Sequence, residues 1–330
     1  MKKEKSSEES HGDMPRRQFL VNAGLGLGAL AALNPGISAN ASPVLLPNIS
    51  QNKRFFRFAV ISDTHIIDEF YKGPESNKLD SESVFLTTKR LSAVRDFLGG
   101  LNPPIEKVFI CGDFFHDYPS PDYDFYYKNK TRIDFAKELV DSFKMPVHIG
   151  VGNHDYDVPK VSRELSHRLF KEKLKIEPYY SVMHRDHKFI HLNNFIGETW
   201  NPASKEYNKG TGSYGETQLN WFEAELRQQK PTFVFQHYPY SSVRDIEVGD
   251  YGIVPLLRKY KDTIQIIFSG HWHRWFDFAR SFGPQHYTVA STRYDENAYM
   301  LVEVDTKKGI SRILNHESLG WATRYSEAYK

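Results

Sequence analysis

One cysteine in 330 residues leaves no internal disulfide to consider. Cys111 stands in an apolar, strand-like run just ahead of Gly112-Asp113, where a packed small hydrophobe is the expected role. Charge of one sign is equally scarce. The formal net charge is +2, so no broad positive field is available to draw in a polyanion such as DNA. An apolar, Gly/Ala-rich stretch runs only from Val21 to Leu33, well short of the roughly 20 residues that span a bilayer. No stable membrane anchor is therefore expected from it. Internal repeats and low-complexity segments are lacking too. What remains, 40% hydrophobic and 25% charged residues with aromatics at 14%, is the composition of a folded globular protein.

The short apolar stretch has a different reading. It follows Arg16-Arg17-Gln18-Phe19-Leu20, which resembles the R-R-x-F-L core of a bacterial twin-arginine signal, with Pro15 where Ser or Thr is usual. Ala39-Asn40-Ala41 then supplies an A-x-A cleavage site. Residues 1–41 are thus expected to be a signal peptide, with the mature protein starting at Ser42. The implied partner is the twin-arginine export machinery, which carries chains already folded. The implied location is the periplasm or the medium. No cysteine lies near the cleavage site to anchor a lipid. Residues 42–54, with Pro43 and Pro47, read as a spacer, and residues 55–330 as one domain.

Within that domain the first half alternates. Phe55 to Ser62 is β-rich, and apolar residues recur at helical spacing from Glu82 to Leu98. Lys107 to Cys111 is a short strand, Thr131 to Phe143 a helix and Val147 to Val151 a strand. Strand-helix-strand-helix-strand implies parallel pairing. Val161 to Leu174 reads as helical. The second half is mixed: a hairpin across Arg185-Asp186, a helix over 216–228, a strand over 232–235, a helix over 251–260 and a strand over 264–268. Short strands near 275–280, 286–290, 298–304 and 309–314 suggest an antiparallel edge.

Five segments at the ends of strand-like runs carry metal-ligating residue types. They are Asp63-Thr64-His65, Gly112-Asp113, Gly152-Asn153-His154-Asp155, His237 and Gly270-His271-Trp272-His273. Hard oxygen donors mixed with imidazoles suit divalent Mn, Fe or Zn. In Asp63/His65 and His271/His273 the donors are i and i+2, so an extended segment would point both to one side. Gly112 and Gly270 precede donors where the backbone must turn sharply off a strand.

In this order the five segments resemble the calcineurin-like metallophosphoesterase superfamily, whose pattern is D-x-H, GD, GNH followed by Asp or Glu, a lone His, then GHxH. The resemblance extends from about Phe56 to His273. It implies an α/β fold of two β-sheets packed face to face and flanked by helices, with the metal site at the carboxyl ends of strands. It also implies a ligand set: Asp63, His65, Asp113 and His273 on one divalent ion, and Asp113, Asn153, His237 and His271 on a second. Asp113 is then the bridge, and a metal-bound hydroxide the nucleophile. His154, unassigned to a metal, would protonate the leaving oxygen or stabilise the oxyanion. Asp155 would orient it by accepting its other N–H.

Other histidines have plainer roles. His148 reads as a core residue of its strand, and His184, His187 and His191 as surface or strand positions at the hairpin. Aromatic loops over 114–130 and 194–214 read either as a substrate rim or as packing.

Within the superfamily, His116 stands where purple acid phosphatases place a tyrosine three residues after the bridging Asp. The protein Ser/Thr phosphatase patterns GDxVDRG and GNHE are not matched. DNA-repair nucleases share the GD, apolar pair, His pattern seen in Gly112 to His116, but near-neutral charge and the export signal disfavour nucleic acid as substrate. The expectation is a hydrolase of small-molecule phosphodiesters or phosphomonoesters. The alternatives are a nuclease of the same superfamily and a non-catalytic binding protein on the same fold.

Overall fold

A computed structural model describes residues Arg54–Trp321. The signal peptide assigned to residues 1–41, and all of the 42–54 spacer but Arg54, lie outside the described residues. Eleven strands are described: β1 Phe55–Ile61, β2 Lys107–Ile110, β3 Val147–Ile149, β4 Tyr180–His184, β5 His187–His191, β6 Thr232–Phe235, β7 Ile264–Ser269, β8 Phe276–Ala279, β9 Gln285–Thr288, β10 Met300–Asp305 and β11 Ile310–Ile313. They form a five-stranded sheet in the order β11-β10-β1-β2-β3 and a six-stranded sheet in the order β4-β5-β6-β7-β9-β8.

Period-two patterning decides how the sheets stack. Phe56, Phe58 and Val60 of β1, Phe109 and then Cys111 along β2, and Phe233 and Phe235 of β6 share one buried cluster between the sheets. Ala59 and Ile61 point the other way, into a cluster with Leu91, Val94 and Leu98 of helix Thr87–Gly100 and Ile133, Ala136 and Val140 of helix Arg132–Asp141. On the far side, Ile190, Val234 and Ile267 meet Leu219, Phe222 and Leu226 of helix Glu216–Leu226. The result is four layers: helices, sheet, sheet, helices. This is the two-sheet architecture expected from the sequence.

Local agreement is close in most places. β1, β2 and β3 pair in parallel. Arg185 and Asp186 both take left-handed φ, 45° and 63°, the turn that a two-residue hairpin loop needs. Two expectations differ. The helix expected over 82–98 is broken into Lys78–Val84 and Thr87–Gly100. At the break, Ser83 Oγ donates to Asp80 O (2.8 Å) and Thr87 Oγ1 to Val84 O (2.9 Å), so hydroxyls take up carbonyls next to the junction. The late strands do not make one antiparallel edge either. β8 and β9 close the six-stranded sheet, while β10 crosses to the other sheet and lies antiparallel to β1, with β11 outside it.

That crossing is secured by charge. In the β1–β10 register Arg57 faces Glu303, and its guanidinium donates twice to Oε2 at 2.9 and 2.7 Å with the side chains 3% and 1% exposed. Arg312 from β11 donates to Oε1. Glu303→Ala would leave the Arg57 charge buried and unpaired, so the expected cost is about 3–5 kcal/mol of stability. It is read as a lower urea midpoint, and a midpoint unchanged from the parent would contradict it. Arg57→Met combined with Glu303→Leu should recover most of the loss.

Candidate metal centre

All five donor segments leave the carboxyl ends of strands on the same side of the two sheets and converge. Asp63, His65, Asp113 and His237 are 0–1% exposed, and Asn153 and His273 are half-buried. The ligating atoms of Asp63, His65, Asp113 and His273 all lie within 4.8 Å of one another. His273 Nε2 is 3.1 Å from Asp63 Oδ1, and His65 Nε2 is 3.5 Å from Asp113 Oδ2. On the other side of Asp113, His237 Nε2 is 3.2 Å from the same Oδ2 and 3.0 Å from Asn153 Oδ1. His271 is brought to this side, its ring centroid 5.3 Å from that of His237.

The two oxygens of Asp113 have different surroundings. Asp113 Oδ1 accepts the His154 backbone N–H at 2.8 Å, and Oδ2 alone faces both imidazoles.

The backbone explains how so many donors fit. Asp63, His65, Asp113, His271 and His273 all have φ between 47° and 68°. The i, i+2 pairs are therefore not extended, as the spacing suggested. Each donor sits at a left-handed position, which non-glycine residues adopt only when the surroundings impose it. Here the surroundings are adjacent loops: Asp63 N–H donates to Gly112 O (3.0 Å), His65 N–H to Asp113 O (2.9 Å) and Arg293 N–H to Asp63 O (3.1 Å).

The glycines have two distinct reasons. Gly112 has φ +94°, and a Cβ there would sit 2.7 Å from His237 Nδ1. Gly270 needs no unusual φ; a Cβ would lie 2.0 Å from Ser62 Oγ and 2.6 Å from Asp63 Oδ2.

The donor chemistry fits divalent cations. Isolated carboxylates do not survive burial without positive charge or hydrogen bonds. His237 Nδ1–H donates to Cys111 O at 2.9 Å, which turns Nε2 toward Asp113 and Asn153. Burial opposes a charged His237 ring, yet Asp113 and Asp63 outweigh it and hold the imidazole up at about 9. The pocket thus attracts positive charge, which a proton or a metal ion can supply.

His154 lies at the open side. Its side chain is 29% exposed, and its ring centroid is 4.7 Å from that of His65. Burial lowers its proton affinity, but Asp113 and a hydrogen bond to Asp117 prevail, holding it up at about 9. The carboxylate that takes its Nδ1–H is Asp117 Oδ1, at 2.8 Å, and not Asp155. The fully buried Asp155 instead accepts three backbone N–H groups: Phe114 (3.1 Å), Phe115 (3.1 Å) and Gly152 (2.7 Å). Those amides belong to the two loops that carry Asp113 and Asn153, so Asp155 ties the loops together. Burial first, and then the neighbouring Asp113, raise its carboxyl above the usual range.

The other histidines take plainer roles. His148 Nε2 is 3.2 Å from Lys107 Nζ, His184 pairs with Glu106, and His187 Nδ1–H donates to Arg185 O. His191 stacks on Tyr180 in the interior. The aromatic loops are mostly packing: Phe114, Phe115, Tyr118, Tyr126, Trp200 and Tyr214 are at most 1% exposed. Sequence reasoning passed over Asp117 and Glu75. Asp117 had a visible cue, a polar His-Asp pair directly after Phe114-Phe115 at a strand end. Glu75, in an irregular loop, had none.

A model of the calcineurin-like phosphoesterase family matches residues 56–275. The chain belongs to this family. Among solved structures it is similar to a dimetal phosphatase from Danio rerio, at 16% identity and a TM-score of 0.52, covering 75% of this chain and 92% of that one. It is also similar to a purple acid phosphatase from yellow lupin (Lupinus luteus) seeds, at 14% identity and a TM-score of 0.44, covering 84% and 55%. A 5'-nucleotidase from Candida albicans matches at 13% identity and a TM-score of 0.42, covering 79% and 49%. Likeness at the first of these levels is one of fold. A search of curated proteins finds no match. No described helix is long and apolar enough to cross a membrane.

Asp155→Asn tests the loop tie. It replaces one acceptor oxygen with a donor facing backbone donors, at an expected cost of about 1–3 kcal/mol. A thermal midpoint equal to that of the parent would show that the loops do not depend on the carboxylate.

Proposed function

We propose that this calcineurin-like phosphoesterase hydrolyses small-molecule phosphodiesters or phosphomonoesters at a centre of two divalent cations, Mn, Fe or Zn. One observation carries the reading: Asp113 Oδ2 lies between His65 Nε2 and His237 Nε2, at 3.5 and 3.2 Å, with a set of donors on each side. Asp63, His65, Asp113 and His273 would hold one ion, and Asp113, Asn153, His237 and His271 the other. When bound, the pair supplies Lewis-acid charge to the phosphoryl oxygens and activates water.

The chain's own residues account for the remaining steps. Substrate approaches from the side of His154 and His273, whose side chains are 29% and 19% exposed, whereas Asp63, His65, Asp113 and His237 are closed to solvent. His154 keeps its Nδ1 proton on Asp117, which leaves Nε2–H to donate to the leaving-group oxygen. Asp117 is the positioning residue, and Asp155 keeps the two loops in register.

The test is hydrolysis of phosphate mono- and diesters by the Mn-loaded mature chain, with bound metal counted in parallel. His154→Ala should retain both ions and lose about 10²–10⁴ in rate on alkyl or sugar esters, with a much smaller loss on nitrophenyl esters, whose leaving group needs no proton. Asp117→Asn should give a milder version, about 10–100-fold. Equal slowing across leaving groups would replace the acid role with phosphoryl binding. A metal-loaded chain that cleaves no ester would support the non-catalytic alternative.

We infer further that residues 1–41 direct twin-arginine export to the periplasm or medium. Arg16-Arg17, the short apolar stretch and Ala39-Asn40-Ala41 support this reading. Replacing both arginines with lysine should leave uncleaved precursor in the cytoplasm; normal processing to Ser42 would refute it.

A further inference from the structure

Between β1 and the helix Lys78–Val84, the loop carrying Glu75 folds back onto His116, which lies against His65. His65 Nδ1 lies 3.1 Å from His116 Nδ1, and His116 Nε2 lies 3.0 Å from Glu75 Oε1. The same Oε1 accepts from Tyr71 Oη–H at 2.6 Å, and Arg293 Nη2 is 3.4 Å from Oε2. His116 is 4% exposed, its carbonyl oxygen accepts from the buried Arg132 guanidinium, and its ring stacks on His154 with centroids 4.8 Å apart and meets Tyr71 edge-on.

We infer that Glu75 and His116 form a relay that fixes the tautomer of His65, so that its Nε2 is presented to the metal centre as a bare lone pair. This rests on the two-cation reading above. The argument is one of donors and acceptors. A carboxylate only accepts, so the nitrogen of His116 facing Glu75 must carry a proton. A neutral His116 then has a bare Nδ1. Two bare nitrogens cannot face each other at 3.1 Å, so His65 must carry its proton on Nδ1. Its Nε2 is left without one. That nitrogen faces Asp113 Oδ2 at 3.5 Å, Asp63 Oδ1 at 4.0 Å and His273 Nε2 at 3.4 Å, separations that leave it short of a good hydrogen bond to any of them. The opposite tautomer would aim an N–H at the place where a cation belongs. Glu75 and His116 are positioning residues here, acting on the ligand from behind.

The alternative use of the same atoms is a third ion, since His65, His116 and His154 also offer nitrogens within 4.8 Å of one another. Both readings can be tested on the whole mature protein. Long-range ¹⁵N–¹H correlation on the metal-free chain reads the tautomers directly, without a variant and without bound metal. The relay predicts Nδ1–H for His65 and Nε2–H for His116; Nε2–H on His65 would overturn it. Mn titration supplies the second readout. His116→Leu should lower the affinity of one of two sites by about 10–100-fold. His116→Asn, which keeps an acceptor near the Nδ1 position, should recover most of it. Glu75→Leu should weaken binding more than Glu75→Gln, which keeps an acceptor for His116. Unchanged affinity in His116→Leu, or three Mn equivalents in the parent and two in this variant, would overturn the relay. A parent that binds no Mn while showing the predicted tautomers would defeat the two-cation reading and leave the tautomer assignment standing.

Discussion

Three carboxylates, Asp63, Asp113 and Asp155, are buried within one small volume at the ends of strands, and much of the local structure serves to compensate them. Each is treated differently. Asp155 is fully occupied by backbone amides and needs nothing more. Asp113 has one oxygen on an amide and the other open to two imidazoles. Asp63 accepts the His271 N–H at 3.2 Å and faces His273. The progression from a closed carboxylate to open ones is set by local hydrogen bonding rather than by position in the motif.

Burying several carboxylates together works against electrostatics, and the left-handed donors work against backbone preference. Five donors take left-handed φ, a strained conformation for non-glycine residues that the surrounding structure must impose. The ladder that starts as β1–β2 continues beyond the strands through Asp63, His65 and Ile66 on one side and Gly112, Asp113 and Phe114 on the other. Ser291 Oγ and Arg293 N both donate to Asp63 O, which ties the loop from a third direction. The sandwich is therefore a frame whose rigidity carries past its own strand ends, as a preorganised site requires.

Much of this could be read in the sequence. The β-rich apolar runs at Phe55–Ser62 and Thr232–Phe235 marked strands, and the five donor segments were evident from residue type and order. What could not be read has physical causes. Asp155 adjoins His154 in the chain, but the 3-10 turn at Asn153–Asp155 directs its carboxylate into the loop amides, and adjacency misled. The left-handed donors follow from contacts between loops, which no local periodicity encodes. The helix break at Phe85 came from Ser and Thr hydroxyls competing for carbonyls, a weak cue in an otherwise regular pattern. The assignment of β10 to the first sheet depends on a pairing between the two ends of the domain, beyond the reach of any window of sequence.

That last pairing has a consequence for how the chain is made. β1, which leads into Asp63 and His65, is completed on one side by β10, and the Arg57–Glu303 contact closes a span of 246 residues. Long-range pairing of this kind is slow, because the loop must close before any contact rewards it. While the chain emerges from the ribosome, β1 has an open edge until nearly the whole domain has been synthesised. A product cut short before Met300 would leave unpaired the edge of β1 that β10 covers, on the strand that leads into Asp63 and His65.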